Sequence, residues 1–307
     1  MALRRGGWQR VTAVIGYRAG MSVAVVTDST AYLPSELVDR YRLSVVPLTV
    51  VIDGVAGLEG VEVTPAHAAR ALAGWRGAVS TSRPAPEQFA QTYRRLLDGG
   101  AEAVVSVHLS AELSGTVAAA QLAAAEVGPH VSVVDARSTG MGLGFPVLAA
   151  AAAAARGAAA AEVRRAAVEA VDRTSTLFYL DTLEFLRRGG RITAAGALLG
   201  TALSVKPILH VVQGRIAVRD RVRTAGRGLA RLVDLAIEEA GDGEVDIALH
   251  HLAAPGRAAE LAAALESRLG PRLRNRYVTE AGAVIGAHVG PGLACVVVHR
   301  VDCDRSV

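Results

Sequence analysis

Apolar residues fall along this chain in two rhythms, short solid runs and runs spaced at helical intervals, and the two alternate. Ser22 to Thr27 reads as a buried strand that ends in Asp28-Ser29-Thr30. Pro34-Ser35-Glu36 then opens a helix to about Tyr41, since proline in a first turn forfeits no hydrogen bond. Leu43 to Ile52 reads as a second strand region with Asp53-Gly54 as a hairpin turn, and residues 55–63 are short and strand-like. Helices are predicted from Thr64-Pro65 to Leu72 and from Pro86-Glu87 to Leu97, where Phe89, Tyr93 and Leu96-Leu97 keep helical spacing. Ala103 to Val107 and Val131 to Val134 are strands, with a small-residue helix between them from Leu113 to Ala125. Helices follow at about 140–156 and 159–171. This alternation predicts a parallel sheet covered by helices, with Asp28-Ser29-Thr30, His108 to Ser114 and Asp135 to Thr139 at the strands' carboxyl ends.

The texture changes after about residue 172. Thr176 to Leu180 reads as a strand, and Thr182 to Arg187 as a helix broken by Gly189-Gly190. A short apolar helix is predicted at 194–203, and an antiparallel pair around Gly214 from Pro207 to Gln213 and Arg215 to Val218. Gly226 to Ala240 and 255–268 read as helices, and Val245 to His250, Arg274 to Val278 and Ala294 to Arg300 as strands. The expected architecture is two α/β domains. One, 22–171, is a three-layer α/β/α unit on a parallel sheet. The other, 172–303, is a two-layer unit on a mixed sheet.

Composition alters this picture at a few points. The 307 residues are 51% hydrophobic, enough for two cores. Mean hydropathy is +0.32, with alanine supplying much of it. The densest stretch, Val147 to Ala155, is too short to span a bilayer and reads as a buried helix. The net charge of +4 resides in Arg4, Arg5, Arg10 and Arg18; residues 1–20 hold no acid and the rest of the chain is neutral, so no basic body for nucleic acid is expected. Residues 1–20 lack a sustained apolar core and read as an upstream start or a disordered arm. Two cysteines, Cys295 and Cys303, form no CxxC pair or disulfide framework, and a cytoplasmic setting is expected.

Three small-residue loops carry the candidate chemistry: Thr81-Ser82-Arg83-Pro84, Leu113-Ser114-Gly115-Thr116, and Gly286-Ala287-His288-Val289-Gly290-Pro291-Gly292. Hydroxyls beside free amides at a helix start suit a small anion. The same residues suit an ordinary helix cap or lead-in. His288, bracketed by glycines, reads either as a donor to a carboxylate or phosphate or as a structural histidine in a tight turn. Arg187-Arg188-Gly189-Gly190-Arg191 is a compact basic turn, and Arg219, Arg221 and Arg223 alternate as a strand's one side would; each fits an acidic partner or plain surface. Asp28 and Asp135 end strands without a third metal ligand in step, and the single lysine, Lys206, has no neighbour to support a Schiff base. Neither GxSxG nor GxxxxGK[ST] occurs.

Taken in order, these segments resemble the DegV family of bacterial fatty-acid-binding proteins. Beyond the three loops, the resemblance rests on Val25-Val26-Thr27-Asp28-Ser29-Thr30 and on Ser110 three residues before Leu113. It also rests on Val134-Asp135 with Ser138, Gly140 and Gly142, on Leu183-Glu184 through Arg191-Ile192, and on Lys206-Pro207-Ile208. It implies a DegV-like two-domain fold, no cofactor, no catalytic residue and no metal, and a long-chain fatty acid held between the domains. By that resemblance the carboxylate would rest on Thr81, Ser82 and Ser114 and on the Gly115 amide, with His288 in support and Asp28, Arg83 and Thr116 close by. The chain would then be the non-catalytic, lipid-carrying subunit of a system whose ATP-dependent fatty acid kinase docks at Arg187, Arg188, Arg191, Arg221 and Arg223. It leaves room for transient contact with a membrane surface. Where that family often has glutamine, this chain has Arg83, and the following serine is Ala85. Two other readings stay open: an independent acyl- or phosphoryl-transfer enzyme using Ser114 and His288, and a regulatory interaction module.

Overall fold

The computed structural model describes residues 22–73, 79–192 and 206–301. The leader at 1–20, the helix expected at 194–203, and Cys303 lie outside the described residues. The parallel sheet is present with the order β2-β1-β6-β7, formed by β1 (Val23–Asp28), β2 (Ser44–Val46), β6 (Ala103–His108) and β7 (Val131–Asp135). Successive residues of β1 point to opposite faces. Ala24 and Val26 pack under helices α3 (Pro86–Asp98) and α4 (Thr116–Val127), while Val23 and Val25 pack under α5 (Met141–Ala155) and α6 (Ala160–Asp172). The result is the expected α/β/α sandwich. After β1, the chain passes through helix α1 (Ser35–Tyr41) to β2.

The strand region expected over Leu43 to Ile52 is two strands in two sheets. Pro47 has no N–H to give a ladder, so β2 stops at Val46. The chain resumes as β3 (Thr49–Ile52), the centre of a small antiparallel sheet, order β4-β3-β5, with β4 (Val55–Leu58) and β5 (Val79–Ser82). Asp53 and Gly54, both at positive φ, turn β3 into β4 as the two-residue hairpin anticipated. Thr81 and Ser82 are thus strand residues held by Val50 and Thr49, not loop residues. Helix α2 (Pro65–Ala73) joins β4 to β5.

The mixed sheet has the order β10-β9-β8-β13-β11-β12: β8 (Thr174–Tyr179), β9 (Lys206–Val212), β10 (Arg215–Val222), β11 (Val245–His251), β12 (Leu273–Glu280) and β13 (Ala294–Arg300). Only β11 and β12 run parallel. Gln213-Gly214, again at positive φ, makes the predicted hairpin between β9 and β10. Period two divides this sheet cleanly. Leu177, Tyr179, Leu249 and Val296 face helices α8 (Ala225–Ala240) and α9 (Pro255–Leu269). Phe178, Leu209, Cys295 and Val297 face the other way, toward Met141 and Phe145 of α5. Helix α5 is therefore apolar all round for a reason: Leu143, Val147, Ala150 and Ala154 serve the parallel sheet, while Met141 and Phe145 serve the mixed one.

Candidate ligand-binding site

Between the inner face of the mixed sheet and the carboxyl ends of the parallel strands lies a cavity of about 910 Å³, counting its open mouth. Period two decides part of its wall: Thr176 and Phe178 of β8 line it, and Leu177 does not. The opposite wall is helix α10 (Ala283–Val289), which supplies Val284, Ile285, His288 and Val289. His288 therefore sits on the last turn of a short helix rather than in a tight turn; three glycines in seven positions, 286–292, hide the helical period.

Three sets of bonds hold this cavity together. Ser110 Oγ donates to the Gly214 carbonyl at 2.7 Å, and Arg215 donates to Glu112 at 2.8 Å, docking the 109–115 turn on the β9–β10 hairpin. The Met141 amide donates to His250 Nε2 at 2.8 Å, fixing the start of α5 on β11. Buried Glu59 receives the Val284 amide at 2.7 Å, Ser29 Oγ at 2.5 Å and the Tyr32 hydroxyl at 3.0 Å, while the Ile285 amide donates to that same hydroxyl at 3.2 Å. Burial raises the Glu59 pKa, and these donors oppose the rise. Gly282, just before α10, has no room for a side chain; a Cβ there would lie 2.3 Å from Glu59 Oε1.

Of the sequence-nominated residues, the structure brings Thr81, Ser82, Arg83, Ser114, Arg191 and His288 onto one cavity wall system. Thr81 Oγ1 and His288 Nε2 are 2.9 Å apart. Ser114 Oγ and Thr116 Oγ1 are also 2.9 Å apart, with Thr116 buried behind. Gly115 gives passage to Arg83, since a Cβ on it would meet an Arg83 terminal nitrogen at 2.6 Å. Arg191 Nε donates to the Leu113 carbonyl at 3.3 Å. The cavity lining thus contains two guanidiniums and, among the described residues, no carboxylate. Burial first, then the neighbouring Arg191, hold the His288 pKa down to about 4. A neutral imidazole that donates Nε2–H to Thr81 leaves the threonine proton free to point into the cavity.

Asp28 lies elsewhere. Its Oδ1 accepts from the Thr30 amide at 3.0 Å and hydroxyl at 2.6 Å, and its Oδ2 from the Leu109 amide and His108 Nδ1, both at 3.0 Å. His108 Nε2 continues to Ser106 Oγ at 2.7 Å, and the Tyr93 hydroxyl donates to the same serine at 2.9 Å. This Asp-His-Ser order has the look of a nucleophile array, yet all three side chains are sealed from solvent. It ties the ends of β1 and β6 together instead. Ser114 and His288 do not pair either, each being bonded to a threonine. Lys206 Nζ donates to the Asp181 carbonyl at 2.9 Å and does not line the cavity.

The basic turn has split duties. Arg187 and Arg188, on helix α7 (Glu184–Arg188), are exposed and pair with Glu184, whereas Arg191 faces the cavity. A bridge between Ile192 and Ile216 sets this turn beside β10. A register shift between Val218 and Asp220 breaks the alternation there, so Arg219 reaches Glu238 and Glu239 on α8 while Arg221 and Arg223 remain exposed. Sequence reasoning missed Tyr32, Thr139, Thr176 and His250, which also line the cavity.

A family model described as an uncharacterised protein of the DegV family matches residues 22–300. The chain belongs to the DegV family. It is 53% identical over 276 residues to a DegV domain-containing protein of Streptomyces coelicolor, covering 90% of this chain and 98% of that one. A DegV domain-containing protein of Mycobacterium tuberculosis is 42% identical over 279 residues, covering 91% and 97%. Among solved structures, a fatty-acid-binding DegV family protein from Thermus thermophilus matches with a TM-score of 0.85 and 33% identity, over 92% of this chain and all (100%) of that one. DegV of Bacillus subtilis, described as a fatty acid binding protein, matches with a TM-score of 0.83 and 29% identity, over 92% and 100%. The DegV fold, a parallel sheet joined to a mixed sheet, is therefore this chain's fold.

The two cavity imidazoles predict a pH response. Burial holds buried His250 at about 4 as well. In the unfolded chain both rings would take protons near pH 6.5, so between pH 6.5 and 4 the unfolded state binds more protons and stability falls as pH falls. For His250 the full effect is about 3 kcal/mol. The raised Glu59 pKa acts in the opposite sense just above its ordinary value of 4.5. Urea unfolding at pH 7.5, 6.0 and 5.0 should show a declining midpoint; a flat or rising series would contradict the buried neutral imidazoles.

Proposed function

We propose that this protein carries a long-chain fatty acid in the cavity and presents its carboxylate to a partner ATP-dependent fatty acid kinase, itself performing no catalysis. The observation that carries this reading is the cavity's polarity: an apolar channel whose charged lining is Arg83 and Arg191 with no opposing carboxylate among the described residues. A buried carboxylate is expensive unless it is hydrogen-bonded and charge-compensated. Thr81, Ser82 and Ser114 hydroxyls with the Gly115 amide would supply those bonds, and His288 would orient the Thr81 proton. Each buried CH₂ adds roughly 0.8 kcal/mol. On this reading, residues 22–171 and 172–303 are two domains and the cavity is their interface. The carrier needs no cofactor or metal and acts in the cytoplasm. No helix among the described residues is long and apolar enough to cross a membrane.

The test is competition for a fluorescent fatty acid by oleate and by oleyl alcohol. Oleate should compete at least ten-fold better, because the alcohol offers no charge to two arginines. Equal competition would mean that the carboxylate contributes nothing to binding.

The kinase contact is assigned to Arg187, Arg188, Arg191, Arg221 and Arg223. A second hollow, lined by Arg188 and Gly189 among others, shares Thr81, Arg191 and His288 with the cavity, which supports a partner docking at the basic turn. Arg221 and Arg223 have no ion pair among the described residues, as residues kept for a partner would not. Arg223→Glu should slow acyl phosphate formation by the kinase several-fold while oleate affinity holds. Equal phosphorylation rates for variant and parent would overturn the docking assignment.

A further inference from the structure

The cavity has a second polar wall that a plain alkyl chain cannot use. Thr139 Oγ1 faces no hydrogen-bond partner although it is buried, and Thr139 lines the cavity. Thr176, also lining the cavity and only 5% exposed, shares a single bond of 3.0 Å with Oγ of Ser138, the residue before Thr139. Two hydroxyls joined by one bond use one proton, so the pair keeps a donor of its own. Gly142 is the residue that makes room for them: a Cβ there would lie 2.1 Å from Ser138 Oγ and 2.4 Å from Thr176 Oγ1. A helix position that sacrifices a side chain to admit two hydroxyls at the edge of an apolar cavity is a costly way to achieve packing alone.

Contacts trace this wall to the start of helix α10, about one turn from His288. Helix α10 serves as a ruler. His288 is on its last turn and Ile285 on its first, where the Ile285 amide meets the Tyr32 hydroxyl. The Tyr32 ring meets His250 edge-on at 5.8 Å, and His250 takes the Met141 amide two residues beyond Thr139. His250 itself is saturated, with Thr279 on its other nitrogen at 2.8 Å. The unmet hydrogen-bonding capacity therefore rests on Thr139 and the Ser138–Thr176 pair.

We infer that Thr139 and Thr176 form a subsite for an oxygen carried on the acyl chain, so that the ligand class this protein prefers is a fatty acid bearing a hydroxyl or oxo group along its chain. The inference rests on the fatty-acid reading above. A saturated chain laid against Thr139 would leave a buried hydroxyl unpaired, and a site built to hydrogen-bond a ligand hydroxyl disfavours the analogue that lacks it.

The experiment is competition by stearate and by 8-, 10- and 12-hydroxystearate against one fluorescent fatty acid, for the parent, Thr139→Val and Thr139→Ser. In the parent, at least one positional isomer should bind about 5- to 10-fold tighter than stearate, the gain of one buried hydrogen bond. Thr139→Val should bring that ratio to one or below, and Thr139→Ser, which keeps the hydroxyl, should preserve it. Hydroxystearates that all bind no better than stearate would overturn the inference. So would a Thr139→Val variant that weakens every ligand by the same factor, since that would assign Thr139 to the carboxylate. Failure of stearate and hydroxystearates alike would instead sink the carrier reading on which the inference stands.

Discussion

Replacing Asp28 with alanine is expected to destabilise the protein by about 3–5 kcal/mol, the largest effect of any single change considered. Four donors converge on that carboxylate, from Thr30 twice, Leu109 and His108. All are deep inside, and Asp28 and His108 are fully buried. Removing the acceptor leaves those donors unpaired and frees the His108–Ser106–Tyr93 chain behind them. Asparagine should recover only part of the loss, because its amide would present hydrogens to His108 Nδ1 or to the Leu109 amide. Urea denaturation of the two variants beside the parent checks this. A change under 1 kcal/mol for alanine would mean the network is ornamental, and the nucleophile-like order of Asp28, His108 and Ser106 would then need another explanation.

The second large effect is on ligand affinity. Thr81→Val keeps the shape of the β5 residue and removes its hydroxyl. The ligand carboxylate then loses a charge-assisted bond, and His288 Nε2 loses the partner 2.9 Å away. Hydrogen bonds to charged groups contribute about 1.5–3 kcal/mol, so oleate affinity should fall roughly 10- to 100-fold. Thr81→Ser should restore most of it. Ser114→Ala should cost less, several-fold, since Arg83, Arg191 and the Gly115 amide stay in position. Displacement of a fluorescent fatty acid measures all three. Parent-like affinity in Thr81→Val would remove Thr81 from the head-group site, and parent-like affinity in Ser114→Ala would remove Ser114.

Much of this fold was legible because its signals are local. The hairpins at Asp53-Gly54 and Gln213-Gly214 follow from turn residues that tolerate positive φ, and β13 spans the same residues that its apolar run predicts. The small antiparallel sheet was not legible. Pro47 divides an apolar run that looks continuous, and four-residue strands such as β5 give too little alternation to separate strand from loop. The hydroxyls of Thr81, Ser82 and Ser114 and the imidazole of His288 could be nominated from sequence because glycine and proline flank them. Tyr32, Thr139, Thr176 and His250 could not. Their role depends on which face of a buried strand, or which side of a helix start, looks into the cavity, and that is settled by packing between sheets far apart in sequence. Arg191 illustrates the same limit: charge density marks the turn, but only the fold separates the arginine that faces the cavity from Arg187 and Arg188 outside it.

A fatty acid in the cavity is the proposal on which the affinity predictions rest. Native mass spectrometry of the purified protein, followed by denaturing extraction and identification of the released lipid, tests it most directly. A mass increment of one fatty acid per chain is expected, released on denaturation and replaceable by added oleate. A protein that purifies empty and takes up no added fatty acid would contradict it.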